Sequence, residues 1–232
     1  MDLASLRRLN AARSARRAAV LVTDIAGGRS EVLEEGGTLP PHLADAVRAA
    51  FLSGKSGLVE TEKGSLFLNV HLPPPRIVAI GAVHITQVLA RLAGVVGFDL
   101  TIIDPRTAFA TAERFEGVDL VADWPEDVLS TRPLDSYTAL AAVTHDPKID
   151  DFALAEALRR GCFYVGALGS RKTNAKRVER LAAVGLSTDE IARIRAPIGL
   201  DIGASSPQEI ALAILAEIVE AFRRRSLSGA AA

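Results

Sequence analysis

The stretch RIVAIGAVHITQVLARLAGVVGFDLTIIDPR, residues 76–106, decides the fold that this sequence predicts. A short apolar run stops at Gly81, a helical pattern of apolar residues follows, and a second apolar run ends at Asp104. This order and spacing are typical of the first half of a dinucleotide-binding βαβ unit. Gly81 lets the chain leave the strand sharply, and the Asp104 carboxylate is expected to accept a hydrogen bond from a ribose hydroxyl.

The glycine fingerprint of such units is incomplete in this chain. The pattern G-x-G-x-x-G is matched only at its first glycine, because Val83 and Thr86 occupy the other two positions. A β-branched side chain at Val83 is expected to obstruct the close approach of a pyrophosphate in the usual NAD pose. The stretch therefore predicts the strand-turn-helix fold but not tight NAD binding.

The residues after Asp104 continue the alternation of strands and helices. Apolar strands are predicted at residues 120–121, 138–143 and 163–165, helical segments separate them, and three helices complete the chain. Such alternation predicts a parallel sheet covered by helices on both faces. The predicted fold class is α/β, a Rossmann-like doubly wound parallel sheet with a small N-terminal α+β domain.

The domain boundaries follow from changes in pattern along the chain. Residues 1–72 are predicted to form the N-terminal α+β domain, with two hairpins and two helices. Residues 73–75, three prolines, form a stiff linker, and residues 76–225 form the Rossmann-like domain. Residues 226–232 are predicted to be a disordered tail.

The composition argues against several classes of function. The 232 residues carry a formal net charge of −1, which does not favour nucleic acid or a membrane surface as a partner. No apolar run reaches the ~18–20 residues that a membrane span needs. The single cysteine, Cys162, excludes a disulfide framework and a multi-thiolate zinc site, is expected to be buried, and fits a cytoplasmic protein. The four histidines show no metal-ligand spacing, so no metal site is predicted.

Candidate binding residues collect at the carboxyl ends of the predicted strands, where open parallel sheets bind their ligands. No catalytic residue is assigned among them. The candidate cofactor-binding residues are Gly81, His84, Asp104, Arg106, Thr144, His145, Asp146, Gly166, Gly169, Ser170, Arg171, Lys172 and Asp201.

Residues 166–172 have two interpretations that the sequence leaves open. Their glycines expose backbone N–H groups, and Arg171 and Lys172 add positive charge, which suits a phosphate or another anion. The same residues also suit a plain glycine turn before a solvated basic helix.

Residues 144–148 and the loop around Asp201 are equally open. His145 is a candidate ligand contact or general base that Asp146 orients, or else Asp146 caps the next helix and His145 is a polar loop residue. Asp201 lies in an apolar segment between two glycines. It either lines the crevice or is satisfied by backbone donors in a turn.

Four motifs resemble the C-terminal Rossmann domain of the XdhC/CoxI family. They cover residues 76 to about 222, whereas the first 75 residues resemble the leading domain of that family only weakly and lack its usual cysteine-containing motif. The motifs are GAVHITQVLARLAGVVGFDLTIIDPRTAFATAERF, THDPKIDDFALAEAL, FYVGALGSRKT and PIGLDIGASSPQEIALAILAEI.

The resemblance implies an accessory protein of molybdenum hydroxylases such as xanthine dehydrogenase or aerobic carbon monoxide dehydrogenase. It implies a chaperone, more than an enzyme, that binds molybdenum cofactor, protects it during sulfuration and helps insert it. The implied partners are the hydroxylase apoenzyme and a cysteine desulfurase. The implied cargo is molybdopterin, which carries a phosphate, or its dinucleotide form, and Arg106, Arg171 and Lys172 are suited to such an anion.

Two other functions stay open at this point. One is an oxidoreductase that uses NAD(P) in the same crevice. The two hypotheses differ at Val83, because its side chain is expected to obstruct NAD binding, whereas a chaperone needs no NAD pose. The other is a structural adaptor that recruits the hydroxylase without binding a ligand. The wide apolar face of the last helix also suits a homodimer.

Overall fold

The computed structural model of the protein describes residues 2–62 and 64–228, with side chains up to residue 225. The chain forms two compact units. One runs to Pro73 and includes the residues from Arg224 onward, and the other runs from Pro74 to Arg223. The second unit contains the predicted parallel sheet.

The described residues of the first unit form a four-stranded antiparallel sheet with two helices. The strands are β1 (Ala19–Asp24), β2 (Ser30–Glu34), β3 (Gly57–Thr61) and β4 (Gly64–His71), and the helices are α1 (Leu3–Ser14) and α2 (Ala44–Ser53). The strand order is β2-β1-β4-β3, so both predicted hairpins form and join one sheet. Leu9 and Ala12 of α1 pack on Leu21 and Val32, which covers one face of the sheet.

The second unit is a six-stranded parallel sheet with six helices. Its strands are β5 (Arg76–Ile80), β6 (Asp99–Ile103), β7 (Asp119–Val121), β8 (Thr138–Ala142), β9 (Tyr164–Ala167) and β10 (Ile194–Arg195). Its helices are α3 (His84–Val95), α4 (Pro125–Thr131), α5 (Pro147–Arg159), α6 (Arg171–Ala183), α7 (Thr188–Ala192) and α8 (Pro207–Ser228), the last of which belongs to this unit up to Arg223.

The order of the parallel strands places a topological switch point in the middle of the sheet. The order is β10-β9-β8-β5-β6-β7. The chain builds outward from β5 to β7 and then returns to place β8 on the other side of β5. Ligands of such sheets bind beyond the carboxyl ends of the strands at the switch point, here between β5 and β8. The predicted fold class is confirmed.

Both faces of the parallel sheet are apolar, which explains why helices cover both. Val78 and Ile80 of β5 belong to a core formed with α4, α5, α6 and α7. Ile77 belongs to a second core formed with α3 and α8. Neighbouring residues of one strand therefore face opposite layers, as the period of two residues in a β-strand requires.

The last helix begins as predicted and ends later than predicted. The predicted capping box is confirmed, because the Ser206 N–H donates to the Glu209 carboxylate at 2.9 Å and the Glu209 N–H donates to Ser206 Oγ at 3.3 Å. Helix α8 continues to Ser228, three residues into the segment predicted to be disordered. The rest of that predicted tail, residues 229–232, lies outside the described residues.

Candidate anion-binding site

The turn after β5 is closed by a threonine hydroxyl. Gly81 has a φ of 122°, and a Cβ there would lie 2.9 Å from Thr144 Cγ2, so the position requires glycine. Thr86 is buried, and its hydroxyl accepts from the Val83 N–H at 2.9 Å and donates to the Gly81 carbonyl at 2.8 Å. The hydroxyl thus fixes the turn at a position where dinucleotide-binding fingerprints have glycine.

Asp104 was predicted to accept a hydrogen bond from a ribose hydroxyl, but its carboxylate is fully buried and already accepts four hydrogen bonds from the protein. Its Oδ2 accepts from the Ala82 N–H and from Arg106 Nη2, both at 2.7 Å. Its Oδ1 accepts from the backbone N–H and Nε of Arg106, both at 2.9 Å. Burial by itself would raise the pKa of Asp104, but these hydrogen bonds hold it below the usual value. With 0% exposure, the carboxylate has no surface left for a ribose hydroxyl, and it instead ties the turn after β5 to the turn after β6.

Arg106 is likewise committed to contacts within the protein. The hydrogen bonds to Asp104 raise its pKa, and the charges of Asp146 and Asp150 add to this effect. Its guanidinium also lies 4.7 Å from the centre of the Phe109 ring. Arg106 therefore acts mainly by holding Asp104 in place.

The turn after β8 supports the helix-cap interpretation of Asp146. The Asp146 carboxylate accepts from the Lys148 N–H at 3.0 Å, and the Asp146 N–H donates to Thr144 Oγ1 at 2.9 Å. Asp146 is thus the N-cap of α5. His145 between them has a φ of 69°, which is uncommon for a residue with a side chain.

A cleft of about 250 Å³ opens beyond the carboxyl ends of β8 and β9, next to the switch point between β5 and β8 rather than at it, and we refer to it as the basic cleft. It is lined from the start of α5 and the preceding turn by His145, Pro147 and Asp150. It is lined from α6 by Lys172, Thr173, Lys176, Arg177 and Arg180. Four basic side chains against one carboxylate favour an anion as its ligand.

Two buried side chains of the basic cleft keep unpaired atoms. Asp150 is 1% exposed, and its Oδ1 accepts from Thr144 Oγ1 at 2.7 Å, whereas its Oδ2 has no hydrogen-bond partner. Arg177 is 2% exposed, and it donates to Asn174 Oδ1 at 3.3 Å and to the Leu168 carbonyl at 3.0 Å, whereas its Nε has no partner. Buried polar atoms are nearly always paired, so a group that enters the cleft is expected to complete both.

The environment shifts both of these groups toward their neutral forms. Burial raises the pKa of Asp150 to about 6, although the hydrogen bond from Thr144 and the charge of Arg177 oppose the shift. Burial lowers the pKa of Arg177, opposed by the charges of Asp150 and Asp151. A buried carboxyl with a pKa near neutrality in a cleft is a common mark of a functional site.

The other cations of the basic cleft differ in how far they are neutralised. Arg180 is held by Asp151, with Nη2 at 3.1 Å from Oδ1 and Nε hydrogen-bonded to Oδ2. Lys172 and Lys176 are exposed and make no ion pair with any of the described residues. These two lysines therefore supply the uncompensated charge at the cleft mouth.

The glycine segment before α6 has a structural role that the sequence did not reveal. Gly166 lies inside β9, where a Cβ would come within 2.6 Å of Ile198 Cγ1 and of the Tyr164 hydroxyl, so it serves close packing rather than ligand binding. Gly169 has a φ of 135° and makes the turn into α6. Ser170 caps that helix.

The structure brings together only some of the predicted residues. His145 and Lys172 line the basic cleft, and Thr144 supports it through Asp150. The other exposed candidates do not line it: His84 at the start of α3, Ser170 and Arg171 at the start of α6, and Asp201 in the loop before α8.

Asp150 and most of the residues that line the cleft from α6 were not among the candidates predicted from the sequence. Lys172 and Lys176 are four residues apart, as are Thr173 and Arg177, so helical periodicity would have placed them on one face. Asp150 follows Ile149 in the buried first turn of α5, and a carboxylate at a buried helical position was the available signal.

Three further findings concern the described residues. The described residues contain no group of three or more His, Cys, Asp or Glu side chains that could hold a metal ion. None of the helices in the described part of the chain is long and apolar enough to cross a membrane. Cys162 is buried as predicted, and burial raises the pKa of its thiol to about 12.

Two curated proteins are similar to this chain over about two thirds of its length. A Bacillus subtilis protein, named as a probable xanthine dehydrogenase subunit, is 31% identical over 161 residues, which are 69% of this chain and 47% of that protein. The molybdenum cofactor insertion chaperone PaoD of Escherichia coli is 31% identical over 146 residues, which are 63% of this chain and 40% of that protein. The chain spans less than half the length of either relative.

A solved structure shares the fold, and a family profile matches the second unit. The crystal structure of a xanthine dehydrogenase from Bacillus halodurans superposes with a TM-score of 0.67 at 23% identity, covering 98% of this chain and 70% of that one. At this identity the likeness shows the fold alone. The profile described as the XdhC Rossmann domain matches residues 77–218. The chain therefore belongs to the XdhC family.

Proposed function

We propose that this protein binds molybdenum cofactor as a cargo and passes it to the apoenzyme of a molybdenum hydroxylase. The observation that carries the proposal is the basic cleft at the carboxyl ends of β8 and β9, with two lysines that have no ion pair among the described residues and two buried polar atoms without partners. Molybdopterin ends in a phosphate, and its dinucleotide form contains a pyrophosphate, so either form supplies the anion that such a cleft favours.

Family membership supports this choice of cargo. One relative is named as a molybdenum cofactor insertion chaperone and another as a probable xanthine dehydrogenase subunit. We infer that the partner of this chain is a hydroxylase of the class that includes xanthine dehydrogenase and aerobic carbon monoxide dehydrogenase. Protection of the cofactor during its sulfuration by a cysteine desulfurase, and a homodimeric state, belong to the same proposal.

The geometry disfavours the competing NAD(P)-dependent oxidoreductase. A dinucleotide-binding site needs a free acidic group at the end of the second strand for the ribose, and Asp104 is fully buried under Arg106. Such a site also needs the pyrophosphate to approach the backbone of the glycine turn closely. Here that turn carries the Val83 side chain, and the Val83 N–H already donates to the Thr86 hydroxyl. NAD binding would require both arrangements to open.

The experiment is a side-by-side binding measurement with molybdenum cofactor and NAD(H). The double variant Lys172→Ala/Lys176→Ala should weaken cofactor binding by about tenfold or more, because each lysine contributes a charge-assisted contact. Lys55→Ala, the same change at an exposed lysine of the first unit, should leave it unchanged. Transfer is then measured as activity restored to a hydroxylase apoenzyme. NAD(H) binding without cofactor binding would overturn the proposal.

A further inference from the structure

The two unpaired atoms of the basic cleft define what kind of group completes it. Asp150 Oδ2 can only accept a hydrogen bond when the carboxyl is ionised, and Arg177 Nε–H can only donate one. Both side chains are at least nine-tenths buried and line the same cleft. A ligand that satisfies both must present an acceptor beside a group that can share a proton with a carboxylate.

The charges of the cleft select among such ligands. Lys172 and Lys176 are without ion pairs among the described residues, whereas Arg180 is neutralised by Asp151. An anion is therefore favoured, but a fully ionised anion against the Asp150 carboxylate would place like charges together. A phosphomonoester resolves this conflict because its second ionisation has a pKa near 6 and it can carry one proton.

We propose that the floor of the basic cleft is a subsite for a terminal phosphomonoester, which accepts from Arg177 Nε–H and shares one proton with Asp150 Oδ2. The inference rests on the proposed function for the identity of the whole cargo, since the phosphate of molybdopterin is such a terminal group. The cleft of about 250 Å³ is smaller than the roughly 300–1,000 Å³ of sites that enclose a whole ligand, so it holds the phosphoryl end.

The groups around Asp150 allow the direction of the pH dependence to be derived. Thr144 faces it from the turn after β8, Asp146 and Asp151 lie on either side in α5 and its cap, and Arg177 and Arg180 face it from α6. Arg106 interacts with it from the turn after β6, and His145, Lys172 and Lys176 line the same cleft. The shared proton must be taken up on binding above about pH 7, where both partners are ionised when apart.

The test uses phenyl phosphate and its methyl ester, which is a diester without a second ionisation. Titration calorimetry in two buffers of different ionisation enthalpy measures affinity and proton uptake together. For phenyl phosphate we expect uptake of about one proton at pH 8 and a loss of affinity of about tenfold per pH unit above pH 7. The methyl ester should bind at least about tenfold more weakly at pH 7, because it carries one charge less.

Two variants separate the shared proton from simple charge attraction. In Asp150→Asn the side-chain NH₂ group can donate to the phosphate in place of the shared proton. This variant should therefore bind phenyl phosphate without proton uptake and without the loss of affinity above pH 7. Lys176→Met, at an exposed position that should not affect folding, should weaken binding but keep the proton uptake. Lys55→Met is the matched control and should change neither.

Several results would overturn the inference. If the lysines alone held the phosphate, the dianion would bind best, and affinity would rise rather than fall between pH 6 and pH 8. Equal affinity for the two esters, or the absence of measurable binding of phenyl phosphate to the wild type, would have the same consequence. Proton-coupled binding of phenyl phosphate without binding of molybdenum cofactor would instead support the phosphomonoester subsite and refute molybdenum cofactor as the cargo.

Discussion

Two buried aspartates at the same edge of the parallel sheet have opposite environments. Asp104, after β6, receives four hydrogen bonds, and they keep its pKa below the usual value despite burial. Asp150, in the first turn of α5, receives one hydrogen bond from Thr144, keeps an unpaired oxygen, and has a pKa raised by burial to about 6. The protein thus satisfies one buried carboxylate completely and leaves the other with an unpaired oxygen, which is why Asp150 and not Asp104 is a candidate for ligand contact.

Removing the Asp104 carboxylate should have the largest effect on the stability of the protein. Asp104→Ala leaves Arg106 and the Ala82 N–H without their partner, which should lower the free energy of unfolding by about 3–5 kcal/mol. Urea denaturation at pH 7 measures it. Asp99→Ala, at an exposed position at the start of β6, is the control and should change stability by less than about 0.5 kcal/mol. An equally small loss for Asp104→Ala would contradict its structural role.

Replacing Asp150 by a neutral residue should raise the free energy of unfolding at neutral pH, whereas removing Asp104 should lower it. The raised pKa of Asp150 means that the folded state binds a proton more tightly than the unfolded chain, so the free energy of unfolding falls as pH rises from about 4 to about 6. Asp150→Asn avoids that fall and should be more stable than the wild type by about 3 kcal/mol at pH 7, with little gain at pH 4. Urea denaturation at both pH values checks this, and a loss of stability at pH 7 would refute it.

Asp104 should show the reverse pH dependence. Because its pKa is lowered in the folded state, it stabilises the protein above the usual aspartate pKa, and this contribution is lost as pH falls through its own lower value. The two carboxylates thus work against each other between neutral and acidic pH, and the variants separate their contributions.

Removing the single hydrogen-bond donor to Asp150 should change the pKa of that carboxyl by a smaller amount. Thr144→Val deletes the hydroxyl that donates to Asp150 at 2.7 Å, which should raise the pKa of Asp150 by about one further unit. A carboxyl-detected NMR titration measures the midpoint. Thr144→Ser keeps the hydroxyl and should retain the wild-type midpoint. An unchanged midpoint in Thr144→Val would show that burial alone sets the value.

The smallest effect is expected at the third aspartate of this edge. Asp146 is only partly buried and caps α5, so Asp146→Ala should cost about 1 kcal/mol, as the loss of an N-cap usually does. Asp146→Asn keeps a capping oxygen and should cost clearly less. Thermal unfolding of the two variants measures the difference, and equal losses would argue against the cap.

The local sequence pattern predicted most of the fold and part of the candidate site. The apolar runs that became β5, β6 and β8 are long enough to identify, whereas β10 has two residues and no pattern of its own. His145 and Lys172 were predicted from their positions after strands. Arg177 was not, because its role depends on α6 lying against the start of α5.

The alternation of strands and helices, the glycine at position 81 and the caps of α7 and α8 follow from the local sequence, since they depend on residues a few positions apart. Contacts between residues distant in sequence set which aspartate is satisfied. Asp104 meets the Ala82 N–H from 22 residues away, and Asp150 shares its cleft with Arg177 of another helix. Hydrogen bonding and burial of a carboxylate depend on groups distant in sequence, so identical residue types acquire opposite roles.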